Sequence, residues 1–292
     1  MSSCAFDKLF SKSVPHILEK VFFSLDYESY KVCLEISRTW NELLKSERYL
    51  KIGKLVFQYE ISEDEEKLWY ASGEGDTTKV KKLLSSRMLD VNRGHGFILR
   101  TPLHEAAKTG HRAVVQLLIN RGADPNVSDK YGFTPLHNAA LYDHKAVMKL
   151  LLERGADPNA DDKYGYTTLH YAATKGRGAM IHLLLESGAD PNAEDEDGHT
   201  PMHDAARFGR HRVLKILIER GAEINKQTRR GSTPLHFAAA IGDKKVVKLL
   251  LKRGAIHDKL NVLGMTPLAV ANTSNYSDIA KVLNNHSKKK CL

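Results

Sequence analysis

The run Ala146-Val147-Met148-Lys149-Leu150-Leu151-Leu152 places apolar residues three and four positions apart, the period of a helix with one buried face. A shorter run before it, Leu136, Ala139 and Ala140, keeps the same period, with small side chains that let a neighbouring backbone come close. The two runs predict a pair of short helices packed on each other. Thr134 at the N-cap and Pro135 at the first helical position start the first helix, one by accepting from an orphan N–H and the other by removing a donor where none is needed. Asp143 stands at the turn between the helices, where other copies have Gly176, Gly209 and Gly242. Gly155 supplies the left-handed residue that ends the second helix. The stretch from Ala-Asp-Pro-Asn to Tyr-Gly that follows holds Pro and Gly and suits an extended hairpin.

This unit recurs. Thr101, Thr134, Thr167, Thr200, Thr233 and Thr266 open successive copies 33 residues apart, and Gly122, Gly155, Gly188, Gly221 and Gly254 punctuate them. One helix pair of this size cannot bury its own apolar face, so the copies must stack. The Thr-Pro-Leu-His-x-Ala-Ala pattern, the period and the Gly-Ala-Asp-Pro-Asn ending resemble the ankyrin repeat over roughly residues 65–286.

Both ends of the array are atypical. Leu68, Ala71, Gly75, Val80 and Leu83 reproduce the apolar skeleton without a Thr-Pro start, a degenerate first repeat whose hairpin, Asn92 to Arg100, is one residue longer than the others. In the last copy Ala269 replaces the usual histidine, and Asp278, Lys281, Asn284 and Asn285 make the second helix polar, as a wet terminal cap requires. Seven repeats are expected. Residues 287–292, with Lys288-Lys289-Lys290, read as a frayed basic tail, and Cys291 is penultimate and so outside prenylation geometry.

Residues 14–44 do not fit the repeat. Ile17, Leu18, Val21, Phe22 and Leu25 fall at helical spacing after Pro15, and further short helices are expected over Tyr30 to Ile36 and Arg38 to Lys45, the last with Trp40, Leu43 and Leu44 on its apolar face. Three such helices make a very small core, which implies apolar surface left for a partner. The Pro-led first helix, Ile-Leu-Glu-Lys-Val-Phe, the Leu-Asp after it and Ile-Ser-Arg-Thr-Trp resemble an F-box, with Val14 in place of the usual Leu and only His16 between Pro15 and Ile17. That resemblance implies docking onto the SKP-type adaptor of a cullin ubiquitin ligase through Val14, Pro15, Ile17, Leu18, Phe22, Leu25, Ile36 and Trp40. A plain helical cap over the first repeat is the other reading of the same residues. The expected organisation is all-α: an N-terminal tail over 1–12, a small three-helix F-box over 13–50, a spacer over 51–64, then a solenoid of helix pairs with short β-hairpin loops.

Composition changes little. The net charge of +9 invites nucleic acid, which rewards clustered cations with counterion release. The basic residues are mostly interspersed with acids, as in Glu153-Arg154 and Glu219-Arg220, which reads as a solvated surface. Three cysteines far apart, Cys4, Cys33 and Cys291, suggest a reducing compartment without disulfides, and no apolar run suits a signal peptide or a membrane span. A cytoplasmic or nuclear protein is expected, monomeric apart from the ligase complex.

Candidate chemistry is sparse. His104, His137, His170, His203 and His236 occupy one place in five repeats; helices about 8–10 Å apart set them too far from one another to share a metal. In ankyrin repeats this histidine ties the Thr-Pro turn by hydrogen bonding. Gly73-Glu74-Gly75 with Lys79 lacks the adjacent Gly-Lys-Ser/Thr of a phosphate loop, and Cys33 has no histidine-bearing motif around it. No enzyme, cofactor or metal is expected. Asn126, Asn159, Asn192 and Asn225 read as turn-bonding residues, and the ankyrin resemblance also makes them candidates for asparagine hydroxylation.

What varies between copies is the candidate target-binding surface: the hairpin tips and the exposed side of the first helix, which in ankyrin repeats form a concave face. The positions are Lys130, Tyr131, Phe133, Leu141 and Tyr142; then Lys163, Tyr164, Tyr166, Thr174 and Lys175; then Glu196, Asp197, His199, Arg207 and Phe208; then Arg229, Arg230, Ser232 and Ile241. Large aromatic and apolar residues in adjacent copies match the composition of binding hot spots. The other reading is that the tyrosines pack on neighbouring hairpins.

Overall fold

The computed structural model describes residues 63–85 and 89–290. The expected F-box, with its eight proposed adaptor contacts, lies outside the described residues, as does most of the 51–64 spacer.

The described residues form helices in seven consecutive pairs, all helix and no strand. The pairs are α1 (Glu63–Glu74) with α2 (Thr77–Leu84), α3 (Pro102–Thr109) with α4 (Arg112–Asn120), and α5 (Pro135–Leu141) with α6 (Lys145–Glu153). Next come α7 (Thr168–Lys175) with α8 (Gly178–Glu186), α9 (Pro201–Arg207) with α10 (His211–Glu219), and α11 (Pro234–Ile241) with α12 (Lys244–Lys252). The last pair is α13 (Pro267–Thr273) with α14 (Ser277–Lys290). Odd-numbered helices pack on one another in one row and even-numbered helices in a second.

The core runs the length of both rows. Leu136, Ala139 and Ala140 of α5 are buried, as are Val147, Met148, Leu150 and Leu151 of α6; the same positions are buried in each interior repeat except that of Leu150, where Leu117, Leu183, Ile216 and Leu249 are half-buried. Between the helices, Asp143 takes a left-handed φ of 69°, the conformation that Gly176 adopts at 76° and Gly242 at 75°. In the first repeat Leu84 is buried and Leu83 only half-buried, a shift of one position from the expected skeleton. The extra residue of the first hairpin lies in its tip: His95 N–H donates to Arg100 five positions on, where Asp129 donates to Phe133 four positions on. The lysines at 288–290, expected to be a frayed end, continue α14. That helix buries Ile279 and Leu283 and turns Asp278, Lys281, Asn284 and Asn285 outward.

Hydrogen bonds join every interior repeat to the next. His104 Nδ1 accepts from Thr101 N–H at 3.1 Å and its Nε2 lies 2.8 Å from Phe133 O, so Nε2 carries the proton and the ring is neutral. His137, His170, His203 and His236 reach Tyr166, His199, Ser232 and Met265 carbonyls at 3.0–3.2 Å in the same way. A second line runs through the asparagines. Asn126 Nδ2 donates to Gly155 O at 2.9 Å while its Oδ1 accepts from Asp157 N–H at 2.7 Å. Asn159, Asn192 and Asn225 repeat that bridge. The asparagines therefore bond the following repeat and not their own turn, which is held by aspartate: Asp124 Oδ1 accepts from Asn126 N–H at 2.8 Å.

Burial sets the protonation of the histidine line. Loss of hydration pushes His104 down to about 3 and His137 and His203 down to about 4, and lowers His170 and His236. The unfolded chain binds protons at the ordinary histidine value of about 6.5 while the folded chain resists them, so stability is complete above about pH 6.5 and is lost as pH falls towards 4. With each histidine withdrawing about 1.4 kcal/mol per pH unit, three of them give a slope near 4 kcal/mol per unit around pH 5. Urea titrations across that range measure it, and a flat profile would contradict the assignment.

Two glycines separate conformational from steric demand. Gly122 has φ +88° with open space at a Cβ, whereas a Cβ on Gly132, φ +82°, would sit 2.8 Å from Asp162 Cα and Lys163 N of the next hairpin. Gly122→Ala is expected to cost about 1 kcal/mol. Gly132→Ala is expected to cost roughly 2–4 kcal/mol, since backbone must move. Equal losses in chemical denaturation would show that the hairpins are not in contact.

Candidate functional site

Backbone bonds bring the hairpin tips side by side. Lys130 N–H donates to Ile98 O at 2.8 Å, Lys163 to Tyr131 at 3.0 Å, Glu196 to Tyr164 at 3.0 Å, Arg229 to Asp197 at 2.9 Å and Val262 to Arg230 at 3.0 Å. Within four of the tips one side chain accepts from the second and fourth residues after it: Asp129 from Tyr131 and Phe133, Asp162 from Tyr164 and Tyr166, Asp195 from Asp197 and His199, Asn261 from Leu263 and Met265. Asp129, Asp162 and Asp195 are 33 apart and Asn261 follows 66 residues later, a spacing that the sequence itself displays; Thr228 stands at the intervening position and accepts from Ser232 N–H.

Because the tips are in register, their side chains meet. Lys130 Nζ lies 3.5 Å from the Phe97 ring centroid and Lys163 Nζ 4.0 Å from that of Tyr131, contacts worth about 0.5–1 kcal/mol at a surface. Tyr131 is only 7% exposed, so its place among target-contacting residues is corrected: its ring lies within the hairpin row. Phe133 lies 5.5 Å from His137 and 5.4 Å from Tyr171, and Tyr166 lies 5.4 Å from His170 and 5.7 Å from Tyr171. Both are half-buried, as is Leu141. The aromatic packing expected as the alternative therefore accounts for Tyr131, Phe133 and Tyr166.

Other candidates face outward. Tyr142 is 47% exposed, Tyr164 51% and Phe208 44%, and Lys130, Lys163, Lys175, Arg207, Arg229 and Arg230 are exposed beside them. Ile241, 38% exposed, follows Phe208 at the turn of the next repeat. An apolar tip was missed altogether. Leu260, Val262 and Leu263 are 57%, 66% and 74% exposed, in register with Arg229 and Arg230. The tips thus run from Lys with an aromatic, through Glu196-Asp197, to Arg229-Arg230 and then Val262-Leu263.

One charge on this face is out of balance. Asp204, the residue after the histidine in α9, is 2% exposed, and its Oδ2 has no hydrogen-bond partner. Burial, then the nearby charge of Asp195, push its carboxyl up to about 7, against a smaller pull from Arg207. Glu105, at the same place in α3, has Arg100 at 3.6 Å and Lys108 at 3.7 Å. The neighbouring Tyr171 hydroxyl donates to Asp162 Oδ2 at 2.5 Å, and burial with this bond raises its pKa well above the ordinary tyrosine value.

The face offers exposed rings and aliphatic side chains among charges of both signs, presented at fixed intervals. Among the described residues no group of three or more His, Cys, Asp or Glu is placed to hold a metal, and no helix is long and apolar enough to cross a membrane. Such a face on stacked helix pairs defines a repeat solenoid for protein–protein interaction. A family model for ankyrin repeats in three copies matches residues 68–162, 155–228 and 220–291, and the chain belongs to the ankyrin-repeat family. Residues 13–50 lie outside the matched spans. The chain is 44% identical over 54 residues to the palmitoyltransferase AKR1 of Lachancea kluyveri, covering 18% of this chain and 7% of that protein. It is 46% identical over 55 residues to the E3 ubiquitin-protein ligase HACE1 of Xenopus tropicalis and of Xenopus laevis, covering 19% of this chain and 6% of each. The chain therefore spans less than a tenth of these relatives.

Asp204→Asn tests the imbalance. The folded carboxyl holds its proton to about pH 7 and the unfolded one only to 3.8, so ionisation costs the fold stability as pH rises between them. The variant is expected to be more stable than wild type at pH 8 by on the order of 2 kcal/mol, the gap closing as pH falls towards 4. This single group opposes the histidines over the same interval and is outweighed by them. Denaturation at both ends of the range checks the sign.

Proposed function

We propose that this protein is the substrate-recognition subunit of an SKP–cullin ubiquitin ligase. The observation that carries the reading is the Pro15-led segment with Ile17, Leu18, Phe22, Leu25 and Trp40 preceding a solenoid whose exposed face carries Tyr142, Tyr164 and Phe208. The F-box holds the adaptor and the concave ankyrin face holds a target protein. The chain performs no bond chemistry itself and needs no cofactor. It raises the target's effective concentration beside the ligase's charged ubiquitin, so that target lysines meet the thioester often enough to react.

A second reading rests on the family matches, which begin at residue 68. In it the chain is an ankyrin scaffold or inhibitor, and the N-terminal helices only cap the array. The similarity to a ubiquitin ligase and to a palmitoyltransferase lies in short repeat segments and supports protein binding for either reading.

Co-expression with an SKP-type adaptor separates the two. Wild type is expected to co-purify with the adaptor, Leu18→Asp to lose it by at least tenfold in affinity, about 1.4 kcal/mol or more, and Trp40→Ala to weaken it. No adaptor bound to well-folded wild-type protein would leave the scaffold reading.

A further inference from the structure

An open groove of about 690 Å³ lies between the turn joining α9 to α10 and the turn joining α11 to α12. Phe208 and Ile241 line it, 44% and 38% exposed, so two large apolar side chains of adjacent repeats stand side by side without cover from their own chain. Arg207, Lys244 and Lys245 surround them, all exposed, with the Arg207 guanidinium 5.8 Å from the Phe208 ring centroid. The one carboxylate lining the groove, Asp243, caps its own helix through Oδ1, which accepts from Lys245 N–H at 2.9 Å and Val246 N–H at 3.0 Å, while Oδ2 lies against Gly209 of the preceding turn. Asp278 reaches Lys244 from α14 at 3.6 Å, leaving Arg207 and Lys245 as the dominant charges.

We propose that this groove docks an acidic protein segment carrying a large apolar side chain between its carboxylates. The proposal rests on the reading that the solenoid captures a protein, and it names the chemistry of what is captured. Both halves of the site are needed for the choice. An apolar segment without acids leaves the cations to repel any basic neighbour, a basic segment is repelled outright, and a polyanion without an apolar group leaves Phe208 and Ile241 in water.

The test uses the full chain and a fluorescein-labelled peptide, Glu-Asp-Glu-Phe-Leu-Glu-Asp-Glu, followed by anisotropy. Two further peptides replace Phe-Leu by Gly-Gly, or every acid by Lys. The acidic apolar peptide is expected to bind, to bind more weakly as salt rises, and to lose about tenfold in affinity in Phe208→Ser with Ile241→Ser and in Arg207→Glu with Lys245→Glu. Lys81→Ser, exposed on α2 in the first repeat, is expected to bind as wild type does. The four groove positions are exposed, and an unchanged helical circular dichroism signal verifies that each variant folds. Absence of binding by wild type overturns the proposal, as does equal affinity for the Gly-Gly peptide, which would mark a polyanion site. Unchanged affinity in both double variants also overturns it, as does self-association in light scattering that Phe208→Ser abolishes, which would make a second copy the occupant. Adaptor co-purification reads residues 14–44 and not this groove, so failure here leaves the ligase reading untouched, and failure of adaptor binding leaves the groove result standing.

Discussion

A pair of seven- to nine-residue helices has no interior, and the repeat stack follows from the need to borrow one from the neighbouring pair. Apolar contact supplies the drive, but contact alone does not set the register between repeats. The neutral histidine does, by accepting from its own Thr N–H and donating to a carbonyl 29 residues ahead. Buried polar groups are costly unless bonded, so a repeat displaced along its neighbour would strand both ring nitrogens at once. The asparagine bridge and the tip-to-tip backbone bonds add two parallel lines with the same spacing.

That arrangement frees the outward positions to specialise. The register lines use backbone groups and inward side chains, so hairpin tips and helix ends can change without loosening the stack. Changes there are nevertheless felt next door, because the tips adjoin. Lys163 over Tyr131 draws a nominally exposed ring into the hairpin row, and Asp204 lies buried near Asp195 without the cations that serve Glu105. The binding surface is therefore patterned by neighbours in the stack as well as by composition. Its most exposed apolar members are Tyr142, Tyr164, Phe208 and Ile241, and the tip formed by Leu260, Val262 and Leu263.

Much of the fold was legible because each element carries its own local cause. Thr-Pro starts, Gly ends and a period of 3.6 are decided within a few residues, and even Asp143 in a left-handed turn could be inferred from its alignment with glycines. The errors share a different origin. In the first repeat Leu84 is fully buried while Leu83 packs on the core from a half-buried position. The asparagines reach across a repeat boundary, a relation that spacing within a repeat cannot reveal. Asp129, Asp162 and Asp195 recur as regularly as the histidines, yet their role is to hold a tip whose shape only the folded hairpin displays.

Local capping and periodicity act over distances shorter than one repeat, so the number of repeats, their helix pairs and the apolar stripe of each can be read from the residues alone. The same residues show which positions are released from packing, since those are the ones that break the 33-residue pattern. Tertiary structure alone decided which of the released residues meet solvent. Exposure at Tyr164 and burial at Tyr131 differ by nothing in their own repeats, which both read Asp-Lys-Tyr-Gly; the difference is that Lys163 follows Tyr131 in the stack, and Glu196 and Asp197 follow Tyr164.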